Sequence, residues 1–235
     1  PVSIPLDEDL RLSPDALQER ISDRTRLIVV NSPANPTGAV QTPDQMKAIA
    51  QIADDSNVAV LSDEVYEHFI YRGEHVSPGR FSDNVITVNA VSKTYAMTGW
   101  RLGYLAAKGS ALEQLLKIHQ YVQACASSIS QAAALEAISG PQDCVAQMRD
   151  EFRSRRDLMV RGFREMGVPL AEPDGAFYLF PRVGGDAVSA QLGKAGVVTV
   201  PGSAFGPGGK DHIRISYAAA RSQLEEALRR MKDIL

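Results

Sequence analysis

Cysteine is scarce in this sequence: Cys125 and Cys144 are the only two among 235 residues. They form no CxxC pair and no metal-ligand spacing, so neither a disulfide framework nor a cysteine-held metal is expected, and a reducing, cytoplasmic setting is. Long apolar runs are also missing. None approaches the ~20 residues that a membrane-spanning helix needs. Charge of one sign is not in excess either. Lysine and arginine total 25 and aspartate and glutamate 28, so 25 − 28 gives −3, which points away from a nucleic-acid or polyanion binder. There is no internal repeat and no low-complexity tract. The opening Pro1-Val2-Ser3-Ile4-Pro5 has no initiator methionine and no signal-peptide pattern, and the chain reads as incomplete at its N-terminal end. What is present, 44% hydrophobic and 23% charged residues, is ordinary for one large or two small globular domains.

Residues 1–110 alternate strand-like and helix-like segments. Leu27 to Asn31, Val58 to Leu61, Val85 to Val88 and Leu102 to Ala106 are short apolar strands. Thr42-Pro43-Asp44-Gln45 is a helix start, with Thr42 as N-cap, Pro43 in the first turn and Gln45 completing a capping box. Continuous apolar strands separated by helices predict a buried, mostly parallel sheet. Ala111 to about Gly140 reads as helix, with Leu112, Leu115, Leu116 and Ile118 near one face. Gly140-Pro141 breaks it, and the character then changes. A charged helix spans about Asp143 to Met166. Strands at Ala176 to Phe180, Val197 to Val200 and His212 to Tyr217, and a short helix near Ala187 to Lys194, follow. The last helix is expected to start with a capping box at Ser222-Gln223-Leu224-Glu225 and to carry the stripe Leu224, Ala227, Leu228, Met231 and Leu235. This predicts an α/β architecture in two parts: residues 1–140 within a sheet-based domain, and residues 141–235 as a small α+β domain.

Three loops follow three successive strands, at the edge where open α/β sheets bind ligands. In the first, Asn31 to Gly38, two prolines and a glycine fix a turn that presents Asn35. In the second, Ser62-Asp63-Glu64-Val65-Tyr66, a carboxylate at the mouth of a buried strand calls for a cation. Its everyday role would be a helix N-cap, and Glu64 and Glu67 read as ordinary polar residues. In the third, Lys93 follows a strand and precedes Arg101 by eight residues. A lysine kept neutral there can carry a Schiff base, and an arginine can hold a phosphate; alone, Lys93 would pass for an exposed lysine. Further on, Arg214 alternates with Ile213 and Ile215, where it is either a surface charge or a fork for a carboxylate. An amine, a carboxylate for a protonated ring nitrogen, two groups for a phenolate-like oxygen (Asn35 and Tyr66) and a cation for a phosphate together describe a site for pyridoxal 5′-phosphate (PLP).

These residues carry a resemblance. Asn31 to Gly38 resembles the NPxNPTG loop of the fold-type I, class I/II PLP-dependent aminotransferases, the aspartate/aromatic aminotransferase-like group. Ser62 to Tyr66 resembles their SDEVY, Ser92 to Tyr104 their SKxxxMTGWRxGY, and Pro173 to Tyr178 their PxGAFY. The resemblance covers essentially all of the chain. It implies the PLP-dependent transferase fold, with an incomplete large-domain sheet and a C-terminal small domain. It implies Lys93 as the Schiff-base lysine, Asp63 as partner of the pyridine nitrogen, Asn35 and Tyr66 at the ring oxygen, Arg101 at the phosphate and Arg214 at the substrate α-carboxylate. Many members have a phosphate-binding serine three residues before the lysine; here that residue is Ala90, and Ser92 is the neighbouring hydroxyl. His68, His75, His119 and His212 match no catalytic position and are expected to be structural or on the surface. No metal site is expected. The implied activity is transfer of an amino group from an amino acid to a 2-oxo acid, in a homodimer, with no nucleic-acid or membrane partner. The alternatives are a PLP-dependent carbon–sulfur lyase of the same fold and a non-enzymatic effector-binding domain. The resemblance also implies that these 235 residues by themselves turn over poorly, because the N-terminal part supplies a glycine-rich phosphate loop and a ring-stacking aromatic.

Overall fold

The computed structural model describes residues 1–235. A short helix α1 (Pro14–Gln18) leads into β1 (Leu27–Asn31), α2 (Pro43–Asp55), β2 (Ala59–Asp63), β3 (Val85–Ala90), the one-turn α3 (Val91–Thr94) and β4 (Gly103–Ala106). The strands form one sheet in the order β1-β2-β3-β4. The first three run parallel, with Asn31 beside Asp63 and Asp63 beside Val88, so their C-terminal ends share one edge. β4 runs antiparallel to β3.

Helix α2 forms where its start signal lies. The Thr42 hydroxyl accepts from the Gln45 N–H (3.2 Å) and Gln45 Oε1 accepts from the Thr42 N–H (3.0 Å), closing the capping box. Its buried stripe, Met46, Ile49 and Ala53, packs on Ile28, Val30, Val58, Val60 and Val85. One face of β1 departs from the expected two-sided burial: Ile28 and Val30 are buried, but Val29 is 62% exposed. The helix expected over 111–140 is two helices, α4 (Gly109–Val122) and α5 (Ser128–Ser139). Between them Ala124 takes a left-handed φ of 61°, which no α-helix propagates. Leu112, Leu116 and Ile118 of α4 are exposed.

The second half comprises α6 (Asp143–Glu165), β5 (Tyr178–Leu179), α7 (Asp186–Lys194), β6 (Val200–Pro201), β7 (Ile213–Ser216) and α8 (Arg221–Met231). Its antiparallel sheet has the order β5-β7-β6. The strands are shorter than their apolar runs. Ala176 has φ 55°, so pairing starts only at Tyr178. Helix α8 is capped at Ala220 and not at Ser222: the Gln223 side chain accepts from the Ala220 N–H, and alanine offers no reciprocal acceptor. From that start Leu224 and Met231 are buried in the core. Helices α6 and α8 meet closely at Gly162, where an added Cβ would lie 2.5 Å from Leu228 Cδ2. No helix is long and apolar enough to cross a membrane.

The two halves interlock through the segment after β2. Tyr66 and Phe69 leave the first sheet and are buried with Phe152, Phe163, Phe177, Leu179 and Tyr217. Buried Asp174 is held from both sides, by Arg11 Nη2 and Arg72 Nε at 2.6 Å each, and Arg11 Nε also donates to the Val40 carbonyl. Gly38, at φ +72°, lies against Pro173, and its carbonyl accepts from the Gly175 N–H. The loop after β1 is thereby fixed against the chain leading into β5.

Candidate active site

The loops after β1, β2 and β3 meet on the common C-terminal edge of the sheet, facing β5 and β7. Asn31 ends β1 and links two of them. Its Nδ2 donates to the Asp63 carbonyl (3.0 Å), and its Oδ1 accepts from the Asn35 N–H (2.7 Å). Asn35 in turn offers Oδ1 to Arg214 Nη1 at 2.9 Å. The Arg214 guanidinium lies 4.8 Å from the Tyr178 ring centroid and 5.1 Å from that of Phe205. The Tyr178 and Tyr66 hydroxyls are 2.9 Å apart. Lys93 Nζ stands 5.9 Å from the ring centroids of both Tyr66 and Phe177. One chain of contacts therefore joins Asp63, Asn35, Arg214, Tyr66 and Lys93.

Ser92 and Arg101 lie outside that chain of contacts. Both line a cleft of about 560 Å³ between β4 and α4, together with Ala90, Tyr104, Leu116 and His119. Arg101 is exposed, holds a left-handed φ of 52° and donates through Nη1 to the Thr98 carbonyl (2.9 Å).

Charge balance in the site is incomplete in a specific way. Asp63 makes no ion pair. Burial pushes its carboxyl above the ordinary value; the Val65 N–H pulls against that (3.3 Å) and the charge of Glu64 adds to it. It caps no helix, since residues 65–68 form a turn. Burial above all raises the Tyr66 phenol far above its usual value, with the hydrogen bond it shares with Tyr178 and the charge of Asp63 adding to this and Arg214 pulling against it, so it stays protonated. Arg214 points inward and its Nε is buried with no partner. An unpaired buried donor costs ~1–3 kcal/mol and calls for an acceptor. The set can hold a cation at Asp63, an acidic oxygen at Tyr66 and a planar anion at Arg214, beside a primary amine at Lys93.

One reading of the sequence changes here. Glu64 is not an ordinary polar loop residue: it is buried, accepting from Ser77 Oγ (2.7 Å) and pairing with His75 Nε2 (2.9 Å). Burial raises its pKa, but the bonds from His75 and Ser77 outweigh this and hold it below the ordinary value. His75 is therefore a structural partner. His212 stacks on Phe180 at 4.8 Å, while His68 and His119 are exposed. Phe177 and Tyr178 belong to the Pro173 to Tyr178 motif and Asn31 opens the first loop, but their roles as an aromatic wall with Phe205 and as a bridge emerge only here. Their signal was weak: an Ala-Phe-Tyr after Gly175, and an asparagine closing a strand ahead of a proline turn.

A model for "Aminotransferase class I and II" matches residues 1–231. The chain belongs to this aminotransferase family. The aspartate aminotransferase of Pyrococcus horikoshii is 42% identical over 248 residues, taking in 100% of this chain and 63% of the relative. Aromatic-amino-acid aminotransferase 2 of Thermococcus litoralis is 41% identical, with 100% of this chain and 64% of the relative covered. Among solved structures, a Thermus thermophilus aspartate aminotransferase double mutant superposes with a TM-score of 0.94 at 34% identity, over 100% of this chain and 64% of that one. The chain thus has the aminotransferase fold and spans just under two thirds of the length of these curated relatives.

Proposed function

We propose that the full-length protein is a PLP-dependent aminotransferase acting on an amino acid and a 2-oxo acid, and that residues 1–140 contribute to its large cofactor-binding domain and 141–235 form its small domain. The single observation that carries the reading is the unbroken set of contacts from Asp63 through Asn35, Arg214 and Tyr178 to Tyr66 and Lys93. The residues fit PLP on the charges left unpaired: a half-buried carboxylate without a cation at Asp63, and a buried guanidinium nitrogen without an acceptor in Arg214.

PLP, when bound, supplies a conjugated ring that takes up the electron pair left as a substrate Cα–H bond breaks. Lys93 would hold the cofactor through its amine and, once released, move the Cα proton. Asp63 would keep the pyridine nitrogen protonated, and its burial strengthens that pairing. Tyr66 and the Asn35 amide would donate to the ring oxygen. Arg101 would bind the phosphate with Ser92. The Arg214 fork would take the substrate α-carboxylate in two parallel hydrogen bonds. A homodimer and a cytoplasmic setting belong to the same proposal; two exposed, unpaired cysteines are consistent with the latter.

The test is borohydride reduction of the full-length protein with PLP, followed by peptide mapping, beside an assay for exchange of amino groups. The label is expected on the peptide containing Lys93 and absent from Lys93→Ala, with a new amino acid as product. A label on another lysine, or release of ammonia and pyruvate in place of a new amino acid, would overturn the reading.

A further inference from the structure

We propose that Tyr178 is a positioning residue that couples the cofactor side of the site to the substrate side, its hydroxyl setting Tyr66 and its ring setting Arg214. The inference rests on the site reading given above. Tyr178 is buried and sits at the start of β5, which pairs with β7, the strand that carries Arg214. Its hydroxyl lies 2.9 Å from that of Tyr66, and the face of its ring lies 4.8 Å from the Arg214 guanidinium carbon.

Each contact has a chemical consequence. Tyr66 has one hydroxyl proton. When Tyr178 donates to the Tyr66 oxygen, that proton is free for a ligand oxygen, and donation in series polarises both bonds. On the other side, Tyr178 and Phe205 flank the guanidinium while Asn35 Oδ1 fixes Nη1. An arginine held on two faces and at one nitrogen has little rotamer freedom left to lose when it meets a carboxylate. The Nε that lacks a partner is then presented in a fixed direction. The titratable and charged groups around Tyr66 are Tyr178, Asp63, Arg214 and Lys93, so removing the Tyr178 hydroxyl changes one neighbour of four.

Tyr178→Phe and Tyr178→Leu separate the two roles in the full-length protein with PLP. One readout is the pH midpoint of the visible absorption of the bound cofactor. The other is the dissociation constant of unreactive carboxylates, maleate and 3-phenylpropionate. Tyr178→Phe keeps the ring and loses the hydroxyl: the midpoint is expected to rise by roughly half a pH unit or more, with carboxylate affinity held within about twofold. Tyr178→Leu also loses the ring, and carboxylate binding is expected to weaken about tenfold further. An unmoved midpoint in Tyr178→Phe, or equal carboxylate affinity in the two variants, overturns the inference while leaving the site reading intact. Wild-type protein that fixes no cofactor on Lys93 overturns both. Should Tyr178→Leu fail to fold, Phe205→Leu, at a residue 38% exposed, removes the opposite ring and must also weaken carboxylate binding.

Discussion

Asp63 shows how one side chain can be costly for the fold while the proposed chemistry depends on it. Burial raises its pKa, so the native state prefers the protonated form more than the unfolded chain does. The sign follows: any stability attached to the proton is complete below the ordinary value of 3.8 and is lost as pH rises through the folded value. Asp63→Asn is therefore expected to melt higher than wild type at neutral pH, with the gap closing below pH 3.8, while amino-group transfer collapses. Thermal scans across pH read the first effect and single-turnover rates the second. A gap of equal size at both ends of the range would mean that the buried charge is not its cause. The sequence set Lys93, Asp63, Asn35 and Tyr66 at neighbouring strand ends because loop chemistry is local, and set Arg214 on its strand by alternation; the structure brings the five together. The Pro173 to Tyr178 motif marked Tyr178 but not its place beside Arg214, and nothing marked Phe205, because proximity across the small sheet is encoded by no spacing.

Helix α2 is the element most fully written in its own residues. Its cap, its proline and its buried stripe all agree, so the start predicted at Thr42 is the start observed, with Pro43 the first residue of Pro43–Asp55. Thr42→Ala removes the hydroxyl that accepts from the Gln45 N–H and is expected to cost about 1 kcal/mol, read by urea unfolding. A loss well under ~0.5 kcal/mol would show that packing of Met46 and Ile49 alone sets the helix start. The small sheet is the contrary case. Apolar runs such as Ala176 to Phe180 overstate its strands, since residues buried by neighbouring helices look the same in sequence as residues buried by pairing. The split of α4 from α5 is marked by no proline or glycine between residues 122 and 128, and only the backbone at Ala124 reveals it.

The whole molecule presents an uneven surface. Leu105 on β4, Leu112, Leu116, Ile118, Tyr121 and Val122 on α4, and Ile129, Leu135 and Ile138 on α5 are all exposed, Tyr121 to 93%. Single exposed apolar residues are normal, but a surface of this density is not. Residues 1–235 on their own are expected to self-associate, and Leu116→Lys with Tyr121→Lys to lower the association. Sedimentation velocity over a concentration series measures both; a monomer at every concentration would show that the surface is tolerated.

The loop that leaves β2 for the second core has a consequence in time. Tyr66 and its partner Tyr178 are 112 residues apart. At a synthesis rate of ~5–20 residues per second, the ribosome needs roughly 6–20 s to produce the second after the first. Until α6 is made the nascent chain holds Tyr66 and Phe69 without Phe152 and Phe163, and until β5 is made without Phe177 and Tyr178, so the loop after β2 is among the last parts of the early sequence to set.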